Sequence, residues 1–135
     1  MAEFNIQVEH NPLEIVTLRK RRDFLALRNG LRVSNPVMTV QMLKQWYGDK
    51  EPLCRVGYTV TTKVGNAVER NRIKRRLRAA VREVFPDNAK SGFDYCLIAR
   101  RPLLTKAYSQ IVLQLKQALD RLHAKEAKGS PKADS

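Results

Sequence analysis

From about Ala67 to Phe85 the chain reads as one long amphipathic helix, and no other stretch constrains the fold as much. Ile73, Leu77, Ala80, Val81 and Val84 recur at i, i+4, i+7, i+8 and i+11, the spacing of a single buried helical stripe. Gly65 breaks the preceding segment. Asn66 is a suitable N-cap, because its short side chain can accept a bond from an orphaned backbone N–H. Pro86 and Asp87 predict the end of the helix. A stripe of this length must be buried against another element, which leaves the opposite face to solvent. That face is almost purely cationic. Asn71, Arg75, Arg78 and Arg82 fall on it, with Arg72 and Arg76 along one flank and Lys74 on the other. From Lys63 to Arg82 there are eight cations and one acid, Glu69.

The surrounding segments supply what that stripe can pack against. Leu18–Asn29 is a short helix candidate closed by Gly30, with Phe24 and Leu27 on one face. Arg19–Arg22 crowd its first turn, where positive charge opposes the helix dipole and an anionic partner would offset it. Leu31–Val33 and Val37–Leu43 alternate as strands, Met38, Val40 and Met42 on one side and Val37, Thr39 and Gln41 on the other. Pro36 suits a strand start. Tyr47–Pro52 reads as a loop. Cys54–Thr61 is the next strand, with Cys54, Val56, Tyr58 and Val60 on an apolar face and Arg55, Gly57, Thr59 and Thr61 on an open polar one. Phe93–Ala99 is nearly continuous in apolar residues, which predicts a central strand. Leu104, Tyr108, Ile111, Val112, Leu115, Leu119 and Leu122 form a last amphipathic helix. The order predicts a compact α+β sandwich with a mixed four-stranded sheet and a strand–helix–strand unit at its centre. Residues 1–16, mixed polar with three glutamates, read as an N-terminal extension. Residues 124–135 read as a disordered tail, leaving one domain over 17–123.

Charge narrows the function. Twenty-six Lys and Arg against thirteen Asp and Glu leave a formal +13 on 135 residues. A bland reading is solubility, but a surplus of this size raises the local concentration of polyanions and speeds encounters with them. Like charges at i,i+4 repel by a few tenths of a kcal/mol per pair, so an undiluted stripe favours a polyanion-binding surface over a merely solvated one. Its arginines sharpen that reading, because a guanidinium fork grips phosphate bidentately and stacks on bases. Asn71 can donate and accept at base or sugar edges. The exposed amides after Gly65 set a helix N-terminus beside the cations. No apolar run approaches the roughly twenty residues of a membrane span, and a secretory leader is not supported. Cys54 and Cys96, each inside an apolar stretch, are expected as buried free thiols of a reducing cytosol. With only His10 and His123 available, a zinc site has almost nothing to be built from.

The run Gly65-Asn66-Ala67-Val68-Glu69-Arg70-Asn71-Arg72-Ile73-Lys74-Arg75 resembles the signature of the bacterial ribonuclease P protein family. The likeness extends to Leu18–Phe24 before Gly30, to Arg55-Val56-Gly57, and to Asp94-Tyr95 and Ala99-Arg100, so it covers about residues 18–122. It implies a protein subunit of a ribonucleoprotein whose catalytic RNA, with magnesium, removes 5′ leaders from precursor tRNA in the cytoplasm. The implied partners are that RNA and precursor tRNA, with the protein a monomer within the holoenzyme. It further implies RNA contacts from Lys63, Arg70, Asn71, Arg72, Lys74, Arg75, Arg78 and Arg82. A cleft between the first helix and the sheet would take the single-stranded leader, with Phe24, Arg28, Thr39, Gln41, Thr59 and Thr61 as its lining. Phe24 matches the family's cleft aromatic, although an ordinary core anchor is an equal reading. The strand–helix–strand crossover is left-handed in the family, whereas packing rules alone favour the right-handed form in about 98% of such units.

Three positions depart from the family pattern. Arg28 stands where many members carry a second aromatic, Thr62 where a lysine pair is common, and Arg21 where a capping Asn or Ser is frequent. No catalytic residue and no protein-bound cofactor or metal is expected. Hydrolysis of a phosphodiester by a protein wants clustered carboxylates, and Glu69, Glu83 and Asp94 are scattered in the sequence. Two other classes share the charge and size: a ribosomal protein and a stand-alone nuclease.

Overall fold

A computed structural model describes residues 14–45 and 53–128. One sheet carries the fold. Its five strands are β1 (Ile15–Thr17), β2 (Leu31–Ser34), β3 (Met38–Lys44), β4 (Cys54–Thr59) and β5 (Phe93–Ala99), in the spatial order β1-β4-β5-β3-β2. β5 is central, as its nearly continuous apolar run predicts. It pairs parallel to β4 and antiparallel to β3, and β1 lies parallel along the first half of β4. Three α-helices accompany the sheet: α1 (Arg21–Ala26), α2 (Ala67–Asn88) and α3 (Tyr108–Ala127). β4, α2 and β5 form the expected strand–helix–strand unit.

The principal core lies between the sheet and the α2–α3 pair. Ile73, Leu77, Val81 and Val84 of α2 meet Ile111, Leu115, Leu119 and Leu122 of α3 over the inward side chains Met38, Val40, Met42, Val56, Tyr95 and Leu97. A smaller cluster on the other face gathers Leu18, Leu27 and Cys96, with Phe24, Leu43 and Ile98 packed against it. Both cysteines are free and buried, one on each face.

Several boundaries differ from the sequence reading. The sheet has five strands rather than four, because Ile15–Thr17, whose first two residues read as the end of an extension, is held as an edge strand by backbone bonds to β4. Only Ile15 and Val16 mark it locally, too short a signal against polar neighbours. Leu18, read as the first residue of a helix, lies between β1 and α1, and its N–H donates to the Val56 carbonyl at 2.8 Å. α1 begins at Arg21 and tightens into a 3-10 turn over Leu27–Asn29. α2 passes through Pro86 to Asn88. A proline in the last turn forfeits one bond where few remain, while the Asn88 side-chain amide donates to the Val84 carbonyl at 2.8 Å. Leu103 and Leu104 lie in a 3-10 turn of their own, so α3 starts at Tyr108. It also runs to Ala127, so residues 124–127, read as tail, are helical. Val37, read on the side of its strand opposite Met38, Val40 and Met42, precedes β3 and enters the main core with them. The loop read at Tyr47–Pro52 lies outside the described residues.

Candidate nucleic-acid interface

Two surfaces are built on opposite faces of the sheet. The first is the outer side of α2, and its N-terminus is tightly specified. The Asn66 side chain accepts from the Glu69 N–H at 2.9 Å, and the Asn66 N–H donates to Glu69 Oε1 at 3.0 Å. Gly65 precedes this capping box at φ 155°, where a Cβ would lie 2.4 Å from Glu69 Oε1. Arg101 donates to the Val64 carbonyl at 2.6 Å and pairs with Glu69 at 3.1 Å. The Arg101 hydrogen bond, helped by the Asn66 N–H, holds the Glu69 carboxyl below its usual range. The one acid within the basic stretch is therefore turned toward the turn that starts the helix. Glu83, just past that stretch, accepts from the Tyr108 hydroxyl at 3.0 Å.

With those acids engaged elsewhere, Asn71, Arg72, Arg75, Arg78 and Arg82 stand exposed along the helix. Among the described residues the ion pairs are Arg55–Asp23, Arg55–Asp94 and Arg101–Glu69, and none involves this face. Arg70 and Lys74 are half-buried on its flank, and Lys63 is exposed on the 3-10 turn just before it. All eight predicted contact residues thus lie on or beside one helix. Arg76 instead ties the helix down by donating to the Lys106 carbonyl.

The second surface is a groove of about 290 Å³ between α1 and the sheet, lined by Arg21, Phe24, Leu25, Arg28, Gln41, Thr59, Cys96 and Ile98. Strand register sets the rows of side chains on that face of the sheet. Gly57 and Gln41 flank Cys96 in one row, and Thr59 and Thr39 flank Ile98 in the next. A Cβ on Gly57 would sit 2.5 Å from the Phe24 ring, so glycine there makes room for the ring. Phe24 is half-buried; it packs in the smaller cluster and also borders the groove, which serves both readings of this residue.

Four of the six predicted cleft residues, Phe24, Arg28, Gln41 and Thr59, line the groove. Thr39 shares their face of the sheet but is buried, its hydroxyl 2.9 Å from that of Ser34. Thr61 is exposed beyond the end of β4. Neither belongs to the lining. Arg21, Leu25, Cys96 and Ile98 were missed. The helical spacing of 21, 25 and 28 was a usable signal, whereas a nearly continuous apolar strand conceals which of its faces Cys96 occupies.

The polar face of β4 is also less open than its sequence suggests. Arg55 forks onto Asp94, with Nε to Oδ1 at 2.8 Å and Nη2 to Oδ2 at 2.7 Å, and reaches Asp23 of α1 at 3.4 Å. Gln45 donates to the same carboxylate at 2.6 Å. Two acids scattered in the sequence are thus gathered about one guanidinium, which fastens α1 to the sheet. Among the described residues no group of three or more His, Cys, Asp or Glu could hold a metal ion. Burial pushes the Cys54 thiol up to about 12 and raises Cys96 as well, so both stay protonated.

Fold and surface together define a small basic α+β protein with a cationic helix on one face and a basic, partly apolar groove on the other. The sequence model of the family Ribonuclease P matches residues 14–123. The chain is 45% identical over 111 residues to the ribonuclease P protein component of Ruegeria pomeroyi, spanning 82% of this chain and 88% of that protein. It is 41% identical over 120 residues to that of Caulobacter vibrioides, spanning 89% and 79%. The solved RNase P protein of Thermotoga maritima superposes with a TM-score of 0.66 at 29% identity, covering 78% of this chain and 96% of that one. The Staphylococcus aureus RNase P protein gives 0.64 at 30%, covering 77% and 92%. The chain belongs to the ribonuclease P protein family. Its class is therefore that of a protein subunit of an endoribonuclease complex that partners the ribonuclease P RNA. No helix among the described residues is long and apolar enough to cross a membrane.

Proposed function

We propose that the exposed face of α2 binds the catalytic RNA of ribonuclease P and that the α1–sheet groove receives the 5′ leader of precursor tRNA. The observation that carries this reading is the disposition of charge. Asn71, Arg72, Arg75, Arg78 and Arg82 are exposed without acidic partners among the described residues, while Glu69 and Glu83 are bonded elsewhere. Such a face meets a phosphate backbone without first breaking ion pairs of its own, and each phosphate it neutralises releases counterions. In the groove, Arg21 and Arg28 supply charge at the rim and Phe24 supplies a ring. Gln41 and Thr59 add hydrogen-bonding groups on the floor. That combination suits a single strand, which presents both backbone and unstacked bases.

The protein's part in catalysis is to bind and orient. Phosphodiester hydrolysis at magnesium requires ligands for the ion, and the two acids that the fold brings together, Asp23 and Asp94, are committed to Arg55. Magnesium is held by the RNA, and leader removal is hydrolysis carried out there. The deciding experiment incubates precursor tRNA with magnesium and the protein alone, the ribonuclease P RNA alone, or both. Release of the leader should require the RNA, and the protein should raise its rate at low magnesium. Robust RNA-free cleavage would establish a stand-alone nuclease instead.

A further inference from the structure

The cation–π contact on the flank of α2 carries an inference about a residue that the basic stretch itself does not contain. Lys74, Arg78 and Arg82 follow one another at i,i+4 along that flank and repel each other. Beneath the middle one lies an aromatic ring from the sheet: the Arg78 guanidinium carbon stands 5.8 Å from the centroid of Tyr58. Tyr58 is half-buried, and that burial raises its phenol above the ordinary value against the opposing charges of Arg78 and Arg82. Its place in the sheet is equally specific. β1 covers β4 only from Cys54 to Val56, so among the described residues Gly57–Thr59 pair with β5 alone and leave an open edge. Tyr58 faces α2 from that edge, while its neighbour Thr59 lines the groove on the other side.

We infer that Tyr58 is a positioning residue of the RNA interface, an aromatic seat that holds Arg78 ready for phosphate at the edge where the two surfaces meet. The inference rests on the reading of α2 as an RNA-binding helix. An arginine without such a seat must be ordered when RNA arrives, at a cost in side-chain freedom. The ring's negative face attracts the guanidinium and offsets the repulsion from its neighbours along the helix. The phenol hydroxyl has no part in this, so phenylalanine should serve as well as tyrosine.

The test is a double-mutant cycle on affinity for the ribonuclease P RNA, using the full chain at one fixed salt concentration. Tyr58→Leu should weaken binding roughly two- to fivefold, the worth of one exposed cation–π contact. Tyr58→Phe should bind as the unsubstituted protein does. Tyr58→Leu combined with Arg78→Ala should bind no worse than Arg78→Ala alone. Thermal melts identify folded variants, and Tyr58→Met provides a second ring-free variant whose flexible side chain refills the space. Normal affinity in a folded ring-free variant, or losses that simply add in the double mutant, would overturn the role of Tyr58 while leaving the helix reading intact. Failure of the unsubstituted protein to bind the RNA would overturn both.

Discussion

The outer face of α2 and the α1–sheet groove differ in how they are made. The helix face draws its predicted contacts from residues 63–82 of one continuous segment. The groove takes its lining from α1, β3, β4 and β5, whose residues lie between positions 21 and 98. The first surface is a row of like charges aimed at solvent, while the second mixes cations, a ring, a thiol and neutral hydrogen-bonding groups. Affinity for a polyanion needs only charge at regular intervals, which one helix can supply. Holding a single strand needs several chemistries at once, and only converging elements supply them. The two surfaces should therefore respond differently to salt, to truncation and to loss of packing.

The largest effect is expected where the groove is anchored. Arg55→Ala would leave the fully buried Asp94 carboxylate without its guanidinium partner. Removing one member of a fully buried pair costs about 3–5 kcal/mol. The loss here should be smaller, because Arg55 is partly exposed and Gln45 still donates to the carboxylate, but the melting temperature should still fall clearly. In whatever fraction stays folded, α1 should loosen, and precursor affinity should suffer more than affinity for the ribonuclease P RNA. Equal losses of both would show that the groove and the helix face are not independent.

Phe24→Ala tests the groove directly. If the ring stacks on a leader base, the holoenzyme should lose about 1–3 kcal/mol of affinity for precursor tRNA, keep its affinity for mature tRNA, and show little change in salt slope. If Phe24 serves only the smaller cluster, the melting temperature should drop and both affinities fall together. A stable variant with normal precursor binding would remove Phe24 from the site. Gly57→Ala should mimic part of this effect without deleting the ring, because its new methyl meets the ring at 2.5 Å and must displace it.

On the helix face the signature is ionic. Arg72→Ala and Arg75→Ala together should weaken binding to the ribonuclease P RNA at every salt concentration. The slope of log affinity against log salt should also shrink, by about 0.7–0.9 for each phosphate that the variant no longer neutralises. An unchanged slope would mean that these arginines do not touch phosphate.

The smallest effect concerns neither surface. His123 Nε2 lies 2.9 Å from the Tyr95 hydroxyl, which also accepts the Lys90 N–H at 3.0 Å. A neutral imidazole shares this bond with the hydroxyl in either tautomer. Burial, with the nearby Lys90 charge, pushes the histidine below its ordinary value. A depressed histidine contributes stability above its unfolded pKa of about 6.5 and loses it as the pH falls through the folded value. Melting temperatures should therefore decline modestly between pH 7 and pH 5, and His123→Gln should flatten that decline.

Short-range periodicity and composition were enough to specify part of this protein. The α2 stripe, its Asn66 cap, the central apolar strand and the one-sided positive charge all follow from residues a few positions apart, because helix and strand geometry act locally. Packing settled the rest. Ile15–Thr17 became a strand because β4 offered it hydrogen bonds, and Pro86 stayed within a helix whose last turn had little to lose. Arg55 was drawn from an open face onto Asp94, and Thr39 was withdrawn from the groove by Ser34. Tyr58 met Arg78 across the fold. Each of these outcomes turns on a partner distant in sequence or on hydrogen bonds completed only by folding, and neither residue type nor local spacing encodes which partner packing will bring within reach.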